Sequence, residues 1–325
     1  MPVNRRDFLA ATAAATAALP WQSALTQTAP DVARIILGFP GGSTPDVLAR
    51  KVGERLSKSY AKSVLVDNRT GAGGQLAASG VKSAAPDGST ILLTPMSILG
   101  VFPFTYKQLP YDPVADFTPV SNGVTFDYGI GVGPAVPESV KTINDLMAWY
   151  KANPTQANMG SPSTGSTLHF VTMMLGRAAG GKLTHVGYKG SAPAIQDMLG
   201  GNLPALCTPL GSFLNQPKLR VLATSGAKRS PFTPNVPTLA EQGFKDLVYD
   251  EWYGFFLPAK AAPETVKKLN AALHEALADK DVIDTLATFG MEVTPSSPGE
   301  LAASLKDALA KWGPIVKSIG FSADA

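Results

Sequence analysis

Two segments of the chain combine glycines with side-chain hydroxyls directly before a helical pattern. The first reads GFPGGSTPD over residues 38–46, and the second reads GSPSTGSTLHF over residues 160–170. Glycines let a ligand approach the backbone, and the first N–H groups of a helix have no partner within that helix. Such N–H groups and hydroxyls bind anions without an arginine. Each segment is therefore a candidate for half of an anion site, although a tight turn uses similar glycines.

Residues that commonly carry catalysis or bind metals form no recognised pattern in this sequence. The histidines are His169, His185 and His274, and Cys207 is the one cysteine. They give neither H-E-x-x-H nor a metal-binding cluster, and G-x-S-x-G is absent. Three S-x-x-K matches lack the S-D-N and K-T-G companions of such enzymes, so we interpret them as coincidence. The first segment also lacks the glycine spacing and the lysine of nucleotide-binding loops. The sequence thus predicts no catalytic residue, no metal and no cofactor.

Two residues beside the hydroxyl-rich segments have more than one interpretation. His169 lies early in the helix after the second segment, where a hydrogen-bonded histidine that fixes the loop is favoured over a catalytic base. Lys189 ends a strand before another helix, and it either extends into solvent or faces a cleft. An exported hydrolase that uses Ser/His chemistry is therefore the alternative to a binding protein.

Composition and charge exclude several classes of protein. The chain has 325 residues, 45% of them hydrophobic and 16% charged, as in ordinary globular α/β proteins. A formal net charge of +3 at pH 7 is too small to indicate nucleic acid or an anionic membrane surface as a partner. With one cysteine no internal disulfide forms, and Cys207 within LPALCTP is expected to be a small core residue.

Residues 1–30 have the features of an export signal. Arg5 and Arg6 precede an alanine-rich apolar run from Phe8 to Leu19, and a polar stretch follows. The apolar run is shorter than the roughly 20 residues that a bilayer-spanning helix needs. The paired arginines followed by Asp7 resemble a twin-arginine signal. We therefore predict that this segment is removed and that the mature protein lies outside the cytoplasmic membrane.

The spacing of apolar residues predicts strands that alternate with helices. ARIILGF at 33–39 is typical of a buried strand, and apolar residues recur at helical spacing over 44–60. Thr44 is the expected N-cap of that helix, with Pro45 at its first position. Further strands are predicted at 63–68, 89–95, 126–133 and 251–258, and in the short segments QANMGS, LTHVGY, LPALCTP and KLRVLATSG. A Gly-rich loop and a helix are predicted in NRTGAGGQLAASGVKSAA, and further helices at 142–152, 166–179, 192–199, 263–278 and 298–317. This alternation predicts an α/β fold with a parallel sheet.

Several segments, in order along the chain, resemble one family. They are FPGGSTPDVLAR, VDNRTGAGGQLAASGV, AAPDGSTILL, LPYDPVADFTPV, NMGSPSTGSTLHF, HVGYKGSAPAIQDMLGG, LRVLATSGAKRSP, VPTLAEQGF and WYGFFLPAKAAPETVKKLNAAL. This series resembles the periplasmic solute receptors of tripartite tricarboxylate transporters, also called Bug receptors, from about residue 33 to 321.

The resemblance implies a two-domain α/β fold of the type II periplasmic-binding-protein kind, with the ligand cleft between the domains. It implies that domain 1 comprises residues 31–125 plus 252–325, and that domain 2 comprises residues 126–251. The crossing segments are expected near 122–128 and 249–254. Such receptors are not enzymes. They capture a small organic acid and deliver it to the membrane permease subunits of the transporter, and we expect a monomer without a cofactor.

The resemblance also implies a set of ligand-binding residues by position. They are Phe39, Gly41, Gly42, Ser43, Thr44 and Asp46 in the first loop, Met96 and Ser97 after the third strand, Ser161, Ser163, Thr164, Gly165, Ser166 and His169 in the second loop, and Tyr188, Lys189, Gly190, Ala192 and Thr208. Many members carry an Asp-Asn pair where this chain has Cys207-Thr208. A cationic or amino-acid ligand that needs that carboxylate therefore loses support.

Overall fold

A computed structural model describes residues 30–180 and 183–323 of the chain. The predicted export signal, including the twin-arginine pattern, lies almost entirely outside the described residues. Within the two described ranges, no helix has the length and apolar character that crossing a membrane requires.

The described residues form ten strands that join in one curled, mixed sheet. The strands are β1 (Val32–Leu37), β2 (Ser63–Asn68), β3 (Thr90–Pro95), β4 (Phe117–Val132), β5 (Asn158–Ser161), β6 (Thr184–Gly187), β7 (Ala205–Pro209), β8 (Arg220–Thr224), β9 (Asp250–Pro258) and β10 (Glu292–Val293). Their main order is β2-β1-β3-β9-β4-β7-β5-β6, with β8 and β10 also paired to β4. The predicted α/β class is thus confirmed.

The sheet is mixed, so the prediction of a parallel sheet was only partly right. β1 pairs in parallel with β2 and β3, and β5 pairs in parallel with β6 and β7. The long strands β4 and β9 lie antiparallel to each other, and β9 is also antiparallel to β3. β4 continues beyond β9 and pairs antiparallel with β7 and β8. The two long strands therefore join the two parallel groups.

Helices of the described ranges pack against the strands of this sheet. They are α1 (Thr44–Ser59), α2 (Gln75–Lys82), α3 (Met96–Gly100), α4 (Phe102–Thr105), α5 (Ile143–Ala152), α6 (Thr167–Ala178), α7 (Ser191–Leu199), α8 (Gly211–Leu214), α9 (Pro263–Ala278), α10 (Lys280–Ala287) and α11 (Pro298–Ile319). The short helices α3, α4, α8 and α10 and the strand β10 were not predicted from the sequence. In α1, Leu48, Val52 and Leu56 recur every fourth residue and are all buried, which explains why this segment docks as a helix.

The apolar core consists of one large cluster and one smaller cluster. The smaller cluster lies under α7 and includes Ile195, Met198 and Leu206. Cys207 is fully buried in the large cluster, and burial raises the pKa of its thiol to about 12. Its predicted role as a small core residue is confirmed.

Candidate functional site

A cavity of about 370 Å³ lies where loops at the strand ends of the two parallel groups meet the pair β4 and β9. This volume is within the range of small-molecule sites. Loops from both groups approach each other around it: the Tyr106 hydroxyl donates to the carbonyl of Thr164 over 3.3 Å. A Cβ placed on Gly73 would lie 3.2 Å from Ser163 Oγ. The predicted ligand-binding residues that line the cavity are Phe39, Gly41, Gly42, Ser43, Thr44, Ser97, Ser163, Ser166, Gly190 and Ala192.

The first loop leaves β1 and enters α1. A Cβ on Gly38 would lie 2.4 Å from the Cα of Gly74, so only glycine permits this contact between the first loop and the glycine-rich segment that precedes α2. Ser43 is the N-cap, one residue before the predicted Thr44, and its hydroxyl donates to the carbonyl of Pro40 over 2.6 Å. Thr44 and Pro45 therefore occupy the first two helical positions, so the predicted position of the cap was wrong by one residue.

Asp46 braces this loop from behind and is not part of the cavity wall. Its buried carboxylate accepts from the backbone N–H of Gly42 over 2.8 Å, from Asn68 over 2.9 Å, and from Arg50 over 2.9 and 3.0 Å. Burial by itself would raise the pKa of Asp46, but the bonds from Arg50, Gly42 and Asn68 outweigh it and hold that pKa below its usual value. The negative charge thus fixes the turn at Gly42.

The second loop leaves β5 and enters α6 with its hydroxyls mostly turned inward. Ser166 is the N-cap residue of α6, and its hydroxyl donates to the carbonyl of Ser163 over 2.6 Å. Ser163 is 8% exposed, and its own hydroxyl has no hydrogen-bond partner among the described residues. A buried hydroxyl without a partner costs free energy unless a ligand or water satisfies it. Ser163 is therefore a cavity-lining side chain of this loop whose hydroxyl a ligand can satisfy.

Ser161 and His169 lie behind the second loop, outside the cavity wall. The Ser161 hydroxyl is 2.7 Å from Nε2 of His185, and the backbone N–H of Gly165 donates to Nδ1 of His169 over 3.1 Å. The two imidazole rings contact each other with their centroids 3.7 Å apart and their planes tilted by 30°. Burial, with a contribution from His185, lowers the pKa of His169 to about 3, and burial lowers the pKa of His185 to about 4. Both rings are thus neutral and serve to hold the loop.

The other predicted residues also lie outside the wall. The Tyr188 hydroxyl donates to Asp197 over 2.8 Å, and Lys189 is exposed to solvent. Thr164 is exposed and contacts Gly187, because a Cβ on that glycine would lie 2.2 Å from its hydroxyl. Thr208 is fully buried, 2.7 Å from the hydroxyl of Ser191, which does line the cavity. Met96 and Gly165 are likewise absent from the wall.

Four side chains from β4 and β9 form a floor that the sequence did not indicate. Phe126 and Glu251 are directly paired across the two strands, and Tyr128 and Tyr253 lie on the same face. Glu251 is 3% exposed and accepts from the Tyr128 hydroxyl over 2.5 Å. Burial raises the pKa of Glu251 to about 7, although the bonds from Tyr128 and from backbone N–H groups act in the opposite direction.

Among the described residues of the wall, none is lysine, arginine or histidine, and Glu251 is the one acid. Polar side chains missed by the sequence reasoning also belong to it, notably Ser191, Gln196 and Ser212. The described residues contain no group of His, Cys, Asp or Glu side chains arranged to hold a metal ion. The wall can therefore bind a small polar ligand through neutral donors and apolar contacts.

Comparison with known proteins agrees with this architecture. A protein of Cupriavidus necator described as "UPF0065 protein in gbd 5'region" is 32% identical over 98% of this chain and 99% of its own length. The solved structure of periplasmic binding protein BugD is 28% identical, with a TM-score of 0.81 over 89% of this chain and 98% of that one. The Rhodopseudomonas palustris protein Rpa4515, solved with adipate, is 30% identical, with a TM-score of 0.84 over 90% of this chain and 98% of that one.

The fold is therefore the mixed α/β fold of two-domain periplasmic binding proteins, as predicted. The family described as "Tripartite tricarboxylate transporter family receptor" matches residues 48–321. The resemblance found in the sequence is thus confirmed, and the chain belongs to the family of tripartite tricarboxylate transporter receptors.

Proposed function

We propose that this protein is a periplasmic solute receptor that binds a small carboxylate and delivers it to the membrane permease of a tripartite transporter. The observation that carries the proposal is the cavity between two loops that each lead into the N-terminus of a helix. Membership of the receptor family and the adipate held by a relative of 30% identity support it.

Neutral donors are sufficient to hold a carboxylate in this cavity. The N-termini of α1 and α6 supply backbone N–H groups and the positive ends of the helix dipoles. Hydrogen bonds to an ionised group are about twice as strong as neutral ones. A ligand carboxylate would also give the hydroxyl of Ser163 the partner that it lacks. The binding residues of the proposal are accordingly those predicted residues that line the cavity.

The hydrolase alternative is the weaker one. Ser161 and His185 do form a hydroxyl–imidazole pair at 2.7 Å, but Ser161 is fully buried and is not part of the cavity wall. A substrate in the cavity would meet neither group of the pair. The family to which the chain belongs consists of receptors, which favours binding over turnover.

The proposal includes the predicted organisation and cellular route. The domains divide into residues 31–125 plus 252–325 and residues 126–251, and they close on the ligand about β4 and β9. The protein acts as a monomer after export directed by residues 1–30. Both strands pass from one parallel group towards the other, which supports a hinge at that place.

Calorimetry with a panel of carboxylates tests the proposal. The panel runs from butyrate to octanoate and from succinate to suberate, and at least one member should bind. Ser163→Ala should weaken binding of that member by about tenfold to a hundredfold, because it removes a hydrogen bond to a charged group worth roughly 1.5–3 kcal/mol.

Thr164→Ala is the matched control, since the hydroxyl of Thr164 is next to Ser163 in the chain but lies outside the cavity wall. It should leave affinity within about twofold of the unaltered protein, as expected for a group that makes no ligand contact. If no carboxylate binds and an ester or amide is turned over, the receptor proposal is wrong. Equal losses in the two variants would remove Ser163 from the site.

A further inference from the structure

Glu251 is a buried acid in the wall of a cavity that has no cation to neutralise it. It is the one Asp or Glu, and no Lys, Arg or His occurs, among the described residues of the wall. Its carboxylate accepts from the Tyr128 hydroxyl, has a long contact of 3.4 Å with the backbone N–H of Trp252, and also faces the backbone N–H groups of Ser97 and Met96. Glu251 nevertheless lines the cavity, so a ligand donor can reach its carboxylate.

An ionised carboxylate in this position acts differently on charged and uncharged ligand groups. Any group inside a cavity of about 370 Å³ lies within roughly 10 Å of the floor, where two like charges repel appreciably at an effective dielectric constant of about 20. Every ligand of this class has one carboxylate at the loops, and the repulsion of that carboxylate by Glu251 is the same for all of them. It therefore does not discriminate between ligands. A second carboxylate on the ligand adds a further repulsion by Glu251, whereas a hydroxyl at the same place can donate a hydrogen bond to Glu251.

The remaining wall agrees with a ligand of mixed character. Ile98, Phe102, Leu168 and Ile195 line the space together with the polar loops and the floor. Such a surface favours an apolar chain between two polar ends. The end that meets the loops accepts hydrogen bonds, and the end that meets Glu251 has to donate one.

We propose that Glu251 is a specificity-determining residue that restricts the cavity to ligands with a single carboxylate and an uncharged hydrogen-bond donor at the other end. This inference rests on the proposed carboxylate receptor and deepens it, since it names the substrate class. The ligand class that it names differs from adipate, the dicarboxylate with which one relative was solved.

The ionisation of Glu251 gives a second readout. The titratable groups that face it are Tyr128 on β4 and Tyr253 on its own strand, and burial raises the pKa of both phenols well above their ordinary value. Asp127 and Asp250 are paired on the opposite face of the two strands. Because burial raises the pKa of Glu251 to about 7, its charge is lost in mild acid. Discrimination against a second carboxylate should weaken accordingly.

Calorimetry on three ligands of equal chain length tests the inference. For six carbons these are hexanoate, ω-hydroxyhexanoate and adipate, and a corresponding set of three is used for each other chain length of the panel. At about pH 8 the unaltered protein should bind the ω-hydroxy acid at least about tenfold more tightly than the dicarboxylate, as the Coulomb repulsion requires. Glu251→Gln should reduce that ratio to about threefold or less. The exposed variant Glu138→Gln is the control and should keep the full ratio.

A measurement on the unaltered protein at about pH 6, where the dicarboxylate stays mostly doubly ionised, needs no variant, and the affinity ratio should fall towards that of Glu251→Gln. Equal affinity for dicarboxylate and ω-hydroxy acid at about pH 8, or a ratio that is the same in Glu251→Gln, would overturn the inference and leave the receptor proposal intact. If none of the carboxylates binds either protein, the receptor proposal and the inference both fail.

Discussion

Replacing Glu251 by glutamine should change how the stability of the ligand-free protein depends on pH. Burial raises the pKa of this carboxyl from an ordinary 4.5 to about 7. Between these values the native state keeps a proton that the unfolded state has released, so the free energy of unfolding falls as pH rises. A difference of about 2.5 pKa units at 1.36 kcal/mol each gives about 3 kcal/mol of stability that is present below pH 4.5 and lost above pH 7.

Urea denaturation followed by circular dichroism at about pH 4.5 and about pH 8 measures this difference. On going from about pH 4.5 to about pH 8, the free energy of unfolding of Glu251→Gln should increase by about 3 kcal/mol relative to that of the unaltered protein. Asp127, with a pKa raised to about 6, and His169 and His185, with pKa values lowered to about 3 and about 4, contribute equally to both proteins and cancel. The exposed control Glu138→Gln should show no such gain. A gap between Glu251→Gln and the unaltered protein that is the same at both pH values would refute the reasoning.

Two further variants test the first loop. Asp46→Ala removes the acceptor shared by Gly42 and Arg50, so it should lower the free energy of unfolding by about 1–3 kcal/mol and weaken carboxylate binding, measured by urea denaturation and calorimetry. Gly38→Ala forces a Cβ to within 2.4 Å of the backbone of Gly74 and should cost about 1–3 kcal/mol, whereas Gly41→Ala, with no atom within 4 Å of its Cβ, should cost well under 1 kcal/mol. Unchanged urea midpoints in Asp46→Ala or Gly38→Ala would show that these loop contacts do not hold the fold.

The sequence predicted elements well where apolar spacing was uninterrupted. β2 was predicted with its observed bounds, and helix α9 likewise. The first half of β4 was missed because FTPVSNGV contains Pro119 and Gly123, which are typical of turns. The structure accommodates both residues with irregularities in the pairing of β4 with β9, between Pro119 and Ser121 and between Asn122 and Val124. Local turn signals were thus overridden by a long-range partner.

The candidate site was predictable only where it was local in sequence. Each loop was predicted from its glycines and hydroxyls before a helix, and residues of both loops line the cavity. The floor depends on which residues of β4 and β9 share a face, and that follows from a register between strands more than a hundred residues apart in the chain. One signal was nevertheless present: Glu251, next to Asp250, opens the otherwise apolar run EWYGFFLP. Acids are seldom fully buried, so an acid that leads into an apolar strand is a candidate functional position.

The composition of the wall bears on how the proposed receptor could release what it binds. A guanidinium would hold a carboxylate through a bidentate pair that a single side chain retains after the cleft opens. Here the donors belong to two loops on different parallel groups of strands, and no lysine or arginine occurs among the described wall residues. Each loop alone offers only part of the hydrogen bonding, so affinity requires that the loops face each other. Separation of the loops would therefore remove most of the binding free energy at once, which suits a protein whose task is to bind a solute and then deliver it.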